Sequence, residues 1–184
     1  MNRVRRGWAA CAALGFFAIA GISATPAGAS SAQSFAEVIP GNSFAYHLLA
    51  AHNLEREQRG VAPLKWSARL AGQAQQWADR LASANRFEHA TDRAGAGENL
   101  WMGPAGRYSA EAMIGGFIDE RRYFRPGQFP NVSKTGSWHD IGHYTQLIWP
   151  ATKEVGCAVS KSGINDILVC RYFPAGNVMG ERIG

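Results

Sequence analysis

The sequence predicts an α+β fold in which helices pack on a mostly antiparallel sheet. Helical patterns fill residues 43–124, where apolar residues recur every three or four positions. Two segments of alternating apolar residues follow, at 154–160 and 166–173, and the turn-forming residues between them predict a hairpin. Helices and strands do not alternate along the chain as they do in parallel α/β folds, so we expect a mainly antiparallel sheet.

The N-terminus has the pattern of a secretory signal peptide. Three arginines within the first six residues precede an uncharged, mostly apolar run, and residues 27–29 (AGA) form a small-residue cleavage site. The sequence therefore predicts that residues 1–29 are a signal peptide and that the mature chain has no membrane span. We expect a secreted protein, located in the extracellular space or in a periplasm.

The charge of the mature chain excludes one class of partner. Removal of residues 1–29 takes away three arginines and no acidic residue, which leaves 16 basic and 14 acidic residues and a net charge of +2. No run of five lysines or arginines remains, so we expect no nucleic-acid partner. The 184 residues, of which 46% are hydrophobic, suit one globular domain. The export signal and the few cysteines favour a bacterial origin.

The first elements follow in a clear order. Residues 30–42 are small and polar and form a lead-in segment, and a first helix is predicted from Ser43 to Gln58. Ser67 is expected to cap a second helix. The buried stripe of that second helix is expected to consist of Leu70, Ala74, Trp77 and Leu81.

A third helix is predicted from Ala110 to about Phe124. Glu120 falls on its apolar stripe, three residues after Phe117. A carboxylate on an apolar face is costly unless it meets a donor or a metal, so Glu120 is a candidate site residue. Residues 126–138 are rich in glycine, proline, asparagine and serine and are predicted to form a loop.

Residues 142–159 change from helical spacing to the alternation of a strand. The helical half contains His143, and the strand half contains Cys157. Cys157 and Cys170 lie in the two predicted hairpin strands, and two cysteines in an exported chain favour a disulfide bond. Two buried free thiols are the alternative. A disulfide closing this loop would stabilise the domain by about 3 kcal/mol.

Four motifs in order resemble the CAP superfamily, which includes cysteine-rich secretory proteins, antigen five and plant pathogenesis-related proteins of group one. The first signature is matched at 142–149 (GHYTQLIW) and the second at 167–178 (ILVCRYFPAGNV). Two shorter motifs are matched at 52–56 (HNLER) and 97–100 (GENL). The chain is identified as a member of this superfamily, with the CAP (SCP) domain over residues 43–180.

The resemblance implies a three-layer α-β-α sandwich with a mostly antiparallel central sheet. It also implies a shallow cleft lined by two histidines and two glutamates. The positions that match them are His89, Glu98, Glu120 and His143. Phe117 stands where the family commonly has tryptophan, and His52 falls at a position that is mainly structural in the family.

The four cleft residues suggest a metal site. Two imidazoles with nearby carboxylates can bind a divalent cation, and zinc is the expected one, with His89 and His143 as its ligands. The alternative is a hydrogen-bonded network without a metal. The resemblance implies a non-enzymatic binding module with a lipid, a sterol or an extracellular protein as partner, and we assign no catalytic residue. A metal-dependent protease or esterase in the same cleft is the alternative function.

The His-x-x-x-His spacing of His139 and His143 does not predict a zincin site. A zincin needs a continuous helix that brings both rings to one face, and a glutamate between them. Here Gly142 weakens the helix, and Asp140 is shorter than glutamate.

Overall fold

Residues 43–184 form a small α+β domain, which is the part of the chain that the computed structural model describes. The predicted signal peptide, 1–29, and the lead-in, 30–42, lie outside the described residues. The strands are β1 (Lys65–Trp66), β2 (Gly97–Pro104), β3 (Gly127–Gln128), β4 (Glu154–Ser162), β5 (Asn165–Phe173) and β6 (Arg182–Ile183). The α-helices are α1 (Phe44–Gln58), α2 (Ala68–Ala84), α3 (Ala110–Ile118) and α4 (Gly142–Leu147). No helix in this part of the chain is long and apolar enough to cross a membrane.

The central sheet has the strand order β1-β4-β5-β2. β4 pairs antiparallel with β5 and β5 pairs antiparallel with β2, whereas the short β1 runs parallel to β4. β3 and β6 form a separate two-stranded antiparallel sheet. The predicted α+β class with a mostly antiparallel sheet, and the predicted hairpin, are confirmed.

The side chains of β5 alternate between two cores. Leu168, Cys170 and Tyr172 belong to a core that they share with α1, α3 and α4. Ile167 and Val169 belong to a second core, beneath α2. Because successive strand residues point to opposite faces, the sheet lies between two helical layers. This is the three-layer sandwich that the resemblance implies.

The first two predicted helices are found at their predicted positions. Ser43 caps α1, and its hydroxyl oxygen accepts a hydrogen bond of 3.2 Å from the backbone N–H of Tyr46. α2 begins directly after Ser67, but the Ser67 hydroxyl makes no capping hydrogen bond. α2 ends at Ala84 and is followed by Asn85, which adopts a left-handed conformation (φ 50°) at the C-cap.

The third predicted helix is wrong in its second half. α3 ends at Ile118, and the chain continues as a tighter 3₁₀ helix over Asp119–Tyr123, so Glu120 does not lie on an α-helix. The following Phe124 is extended (φ −73°, ψ 140°) and forms an antiparallel bridge with Ser133. The chain must therefore leave the helix earlier than the apolar stripe predicts.

Four strands, β1, β2, β3 and β6, were not predicted from the sequence. Residues 97–100 of β2 are buried in succession, so the strand shows no alternation of apolar and polar residues. The short β3 interrupts residues 126–138, which were expected to form a loop throughout.

Cys157 and Cys170 face each other directly across β4 and β5. They form a disulfide bond with an S–S distance of 2.11 Å and a Cα–Cα distance of 4.1 Å. Both cysteines are buried. The predicted disulfide is confirmed, and the free-thiol alternative is wrong.

Arg56 joins α1 to the last residue of α4 and to the segment that follows it. Its side chain is completely buried and donates hydrogen bonds to four backbone carbonyls, those of Ala62, Leu147, Trp149 and Thr152, over 2.7 to 3.2 Å. Burial lowers the pKa of Arg56 to about 10, so the guanidinium remains charged at neutral pH. Arg56, the last residue of the HNLER motif, therefore has a structural role.

His52 is also a structural residue, as the resemblance implies. It is completely buried, with Nδ1 2.7 Å from the carbonyl oxygen of Leu48 and Nε2 2.8 Å from the hydroxyl of Tyr172. Burial lowers the pKa of His52 from 6.5 to about 4. The imidazole is consequently neutral in the folded protein at physiological pH.

Replacing His52 with glutamine should remove part of the pH dependence of stability. Between the two pKa values, 6.5 in the unfolded chain and about 4 in the fold, only the unfolded chain binds the proton. This contribution to stability is therefore complete above pH 6.5 and is lost as the pH falls towards 4. The wild type should lose about 2.5 kcal/mol more than His52→Gln between about pH 7.5 and about pH 4.5 in urea unfolding.

The matched control is His47→Gln, on the same helix, where the histidine contacts Glu111 and is partly exposed. It should keep the acid sensitivity of the wild type. Equal pH profiles for the wild type and His52→Gln would contradict the prediction.

Candidate functional site

His89 contacts a buried carboxylate at the start of β2. Its Nδ1 lies 2.7 Å from Glu98 Oε1, which also accepts a hydrogen bond of 3.0 Å from the backbone N–H of Ala90. Arg171 is the partner of Glu98 in the register of β5 and places Nη2 3.0 Å from the second oxygen, Oε2. The Glu98 side chain is fully buried, whereas 53% of the His89 side chain is exposed. A fixed carboxylate thus orients an accessible imidazole.

His143 has an equivalent arrangement on the opposite helical layer. Its Nδ1 lies 2.6 Å from Glu120 Oε1, and the backbone N–H of Tyr144 donates to Glu120 Oε2 over 3.0 Å. The Phe117 ring stacks on the imidazole, with 5.1 Å between centroids and an angle of 17° between planes. Phenylalanine therefore supplies a flat contact for the histidine at the position where the family commonly has tryptophan.

Glu55 connects the two segments that carry this second pair. Its Oε1 accepts a hydrogen bond of 2.8 Å from the Tyr144 hydroxyl, and its Oε2 accepts one of 3.0 Å from Arg121 Nη1. Burial and the neighbouring Glu55 carboxylate raise the pKa of the Tyr144 hydroxyl, which therefore stays protonated as the donor. Glu55 thus binds Tyr144, which follows His143 in sequence, and Arg121, which follows Glu120.

Both histidines line one cavity of about 490 Å³ at the end of the sheet, and Glu98 contributes to its wall. Glu120 is not part of the cavity lining, because it lies behind His143 and contacts its Nδ1. Three of the four predicted cleft residues therefore line the cavity itself. The fourth supports one of them from behind.

Three other polar residues of the cavity, Asn99, Gln146 and Asn177, were not predicted as site residues. They connect segments: Asn99 Nδ2 donates to the carbonyl of His143 over 3.0 Å, and Gln146 Oε1 accepts from the backbone N–H of Gly176 over 2.9 Å. Asn177 Nδ2 donates to the carbonyl of Gly142 over 2.9 Å. All three lie within the four family motifs, and their place in those motifs was the one signal by which the sequence could have marked them as site residues.

The donor set suits a metal ion bound by two imidazoles. A carboxylate accepts at each Nδ1, so Nδ1 carries the hydrogen in a neutral ring and Nε2 presents its lone pair. Among the described residues, neither the Nε2 of His89 nor that of His143 has a hydrogen-bond partner. Carboxylates that fix ligand histidines in this way are common around zinc.

A third protein ligand is not in place beside them. In residues 43–184, three histidine, cysteine or carboxylate ligand atoms lie within 4.8 Å of one another only at His52, Cys157 and Cys170. Those two sulfurs are joined in the disulfide and cannot act as thiolate ligands. The buried cluster of His52, Cys157 and Cys170 is therefore not a metal site. A metal bound by His89 and His143 in the cavity would have its remaining coordination positions filled by water or by a ligand.

The structure agrees with the exclusion of a zincin motif. His139 lies on a separate 3₁₀ helix, Trp138–Asp140, and Ile141 (φ −138°, ψ 8°) separates it from α4. No continuous helix carries His139 and His143. The His139 ring stacks on Trp138 at 4.1 Å, although it also lines the cavity.

The fold and the site together define a three-layer α-β-α domain with two carboxylate-bound histidines at the end of its central sheet. Residues 49–172 match the family model of CAP, the cysteine-rich secretory protein family. The chain belongs to the CAP family.

Relatives and solved structures agree with this assignment. The chain is 34% identical over 141 residues to the human Golgi-associated plant pathogenesis-related protein 1, covering 75% of this chain and 87% of the relative. It is 31% identical over 159 residues to the secreted protein RBT4 of Candida albicans, covering 85% of this chain and 42% of the relative. The crystal structure of NaASP2 with Zn²⁺ shares the fold, with a TM-score of 0.64 and 22% identity over 79% of this chain and 88% of the other.

The same relatives bear on three expectations for this chain: its secretion, its bacterial origin and its zinc binding. One is named as a secreted protein and another as Golgi-associated, so the family does not have a single location. Neither comes from a bacterium, and the expected bacterial origin is not supported. The zinc ion of the NaASP2 structure belongs to that protein, and the likeness to this chain concerns the fold.

Proposed function

We propose that this chain is an exported CAP-domain binding protein, with a signal peptide at 1–29 and the domain at 43–180, whose His89 and His143 bind zinc through Nε2. The observation that carries this proposal is the pairing of each Nδ1 with a carboxylate, at 2.7 and 2.6 Å, on the wall of one cavity. These contacts leave the two Nε2 atoms available and orient both rings. Bound zinc would supply a Lewis-acidic position for a carboxylate or carbonyl of a ligand.

The number of protein ligands favours binding over hydrolysis. Catalytic zinc sites usually have three protein ligands and one water, whereas the cavity offers two imidazoles. A two-ligand site is expected to be weaker and to exchange its metal. A metal-dependent protease or esterase remains the alternative function for the same cavity.

Zinc titration of the purified, metal-free protein tests the proposal. We expect one zinc per chain, and we expect His89→Ala or His143→Ala to weaken binding at least about tenfold, because each removes half of the protein ligands. Glu98→Gln and Glu120→Gln should also weaken binding about tenfold, because a neutral amide replaces the charged carboxylate that orients each ring and raises its basicity.

The matched control for the zinc titration is His47→Ala, a partly exposed histidine on α1 outside the cavity. It should bind zinc as the wild type does. Wild-type zinc affinity in the His89→Ala and His143→Ala double variant would overturn the proposal. Hydrolysis of ester or peptide substrates that requires both zinc and the two histidines would favour the alternative function.

A second candidate function, lipid or sterol binding, is favoured by a groove beside α1. The groove has a volume of about 910 Å³ and is lined mostly by small apolar residues, including Ala50, Ala51 and Ile118. Leu54, an apolar residue of α1, is 59% exposed at this groove. Such a volume is at the upper end of common small-molecule sites.

The charge at the groove favours a lipid without a negative headgroup. Glu57 and Glu111 both line it. Hydrogen bonds from its own backbone and from Ser109 lower the pKa of Glu111, so this carboxylate is ionised at neutral pH. A fatty-acid carboxylate would be repelled there, whereas a sterol hydroxyl could donate to a carboxylate.

Filling the groove tests this second function. Ala51→Trp should abolish uptake of a labelled sterol by the purified protein, and Ile164→Trp should not. Ile164 is 84% exposed and lies outside the groove. Equal uptake by both variants, or no uptake by the wild type, would remove sterol binding from consideration.

A further inference from the structure

A smaller cavity of about 220 Å³ lies between α2 and residues 90–94. Its lining includes Gln73 and Arg80 from α2 and Arg171 from β5. His89 and His143 do not line it, so it is a different cavity from the candidate metal site. Arg93 is the one residue that lines both.

Arg171 lines this cavity with a guanidinium group whose hydrogen-bond donors are not all paired. Only 4% of its side chain is exposed. One guanidinium nitrogen, Nη2, lies 3.0 Å from Glu98 Oε2 in an ion pair, but neither Arg171 Nε nor Glu98 Oε2 has a hydrogen-bond partner in the described part of the chain. A buried N–H without an acceptor is unfavourable, so an acceptor from outside the chain would stabilise this position.

Gln73, which also lines this cavity, has an unsatisfied acceptor. Its Oε1 is buried and receives no hydrogen bond from residues 43–184. A group that fits here therefore needs an acceptor for Arg171 Nε and a donor for Gln73 Oε1. Ordered water would satisfy both atoms singly, and the surrounding charges favour an anion over water.

The charges around the cavity are predominantly positive. Arg80, Arg93 and Arg171 line it together with one acidic residue, Asp92. Glu98 compensates Arg171 from beneath, and Asp92 compensates one further cation. One arginine remains in excess, and guanidinium groups bind phosphate oxygens by paired hydrogen bonds.

We propose that this cavity is a binding site for a phosphate group, either inorganic phosphate or a small phosphate monoester. Arg171 Nε and the guanidinium groups of Arg80 and Arg93 donate to its oxygens. A protonated phosphate oxygen donates to Gln73 Oε1, which sulfate, without a proton at neutral pH, cannot do. The site accordingly selects phosphate over sulfate.

Calorimetric titration with phosphate, sulfate and glycerol 3-phosphate at constant ionic strength tests the proposal. The wild type should bind phosphate saturably and at least about tenfold more tightly than sulfate, and Gln73→Met should reduce this preference. Arg80→Gln and Arg93→Gln should each weaken phosphate binding about tenfold, because each removes a charge-assisted hydrogen bond. Tighter binding of the ester would identify a phosphorylated metabolite or headgroup as the ligand, and equal binding would identify free phosphate.

The controls separate this site from the zinc site and from loss of folding. Arg122→Gln alters an arginine whose side chain lies over Tyr123, away from the cavity, and should bind phosphate as the wild type does. Phosphate binding should persist with a chelator present and in the His89→Ala and His143→Ala double variant. Absence of saturable binding in the wild type, or equal affinities for the Arg80→Gln, Arg93→Gln and Arg122→Gln variants, would overturn the proposal.

Discussion

Replacement of Arg56 by methionine is expected to lower the free energy of unfolding by at least about 4 kcal/mol. The methionine side chain fills much of the same space but leaves four backbone carbonyls without the donor that Arg56 provides. A buried polar group that loses its partner costs about 1 to 3 kcal/mol. Three of these carbonyls belong to the last residue of α4 and to the chain directly after it, so their loss also loosens the segment that carries His143.

Urea unfolding of the purified protein measures this effect, with Arg59→Met as the matched control. Arg59 follows the last residue of α1, has a side chain that is 37% exposed, and contacts the Glu55 carboxylate at 3.2 Å. Its replacement should cost about 1 kcal/mol or less, as expected for a partly exposed ion pair. A similar loss of stability in the two variants would show that the four carbonyl contacts of Arg56 do not stabilise the fold.

Gly156→Ala should destabilise the protein by about 3 kcal/mol, because overpacking against backbone cannot be relieved by a rotamer change. An added Cβ would lie 2.2 Å from the backbone nitrogen of Ala71 and 2.5 Å from the carbonyl oxygen of Ser67. Both atoms belong to the start of α2, which would have to move away from β4. The glycine therefore sets the distance between the sheet and this helix.

Gly72→Ala provides the matched control on the same helix. A Cβ at Gly72 meets no atom within 4 Å, and alanine favours helix by about 1 kcal/mol over glycine. This variant should be more stable than the wild type by about that amount, as measured by thermal or urea unfolding. Equal stability of Gly156→Ala and Gly72→Ala would contradict the proposed contact between β4 and α2.

The local elements could be predicted because their signals are local. The α1 and α2 helices and the β4–β5 hairpin have clear periodicity, and the disulfide follows from two cysteines in adjacent strands. The end of α3 at Ile118 was not predicted, because the apolar stripe continues through the 3₁₀ turn Asp119–Tyr123 to Phe124, which bridges to Ser133. β2 was missed because its buried residues do not alternate.

The candidate site was predictable in its residues but not in its contacts. The motifs identified both histidines and both glutamates, yet periodicity could not show that Glu120 lies behind His143 rather than on the cavity wall. The role of Glu55 also depends on contacts across 66 and 89 residues of sequence. Such contacts are fixed by how helices pack on the sheet, and a single sequence carries no direct signal for them.

The sequence alone determined the family, the secondary structure around residues 142–159 and the identity of the residues in the histidine cavity. Only the tertiary structure decided that each histidine uses Nδ1 for a carboxylate and leaves Nε2 available, and that Arg171 opens into a second cavity. The physical reason is that motifs depend on residue type and spacing along the chain. Hydrogen-bond partners and burial depend on the register of β2 with β5 and on the helices that cover each face of the sheet.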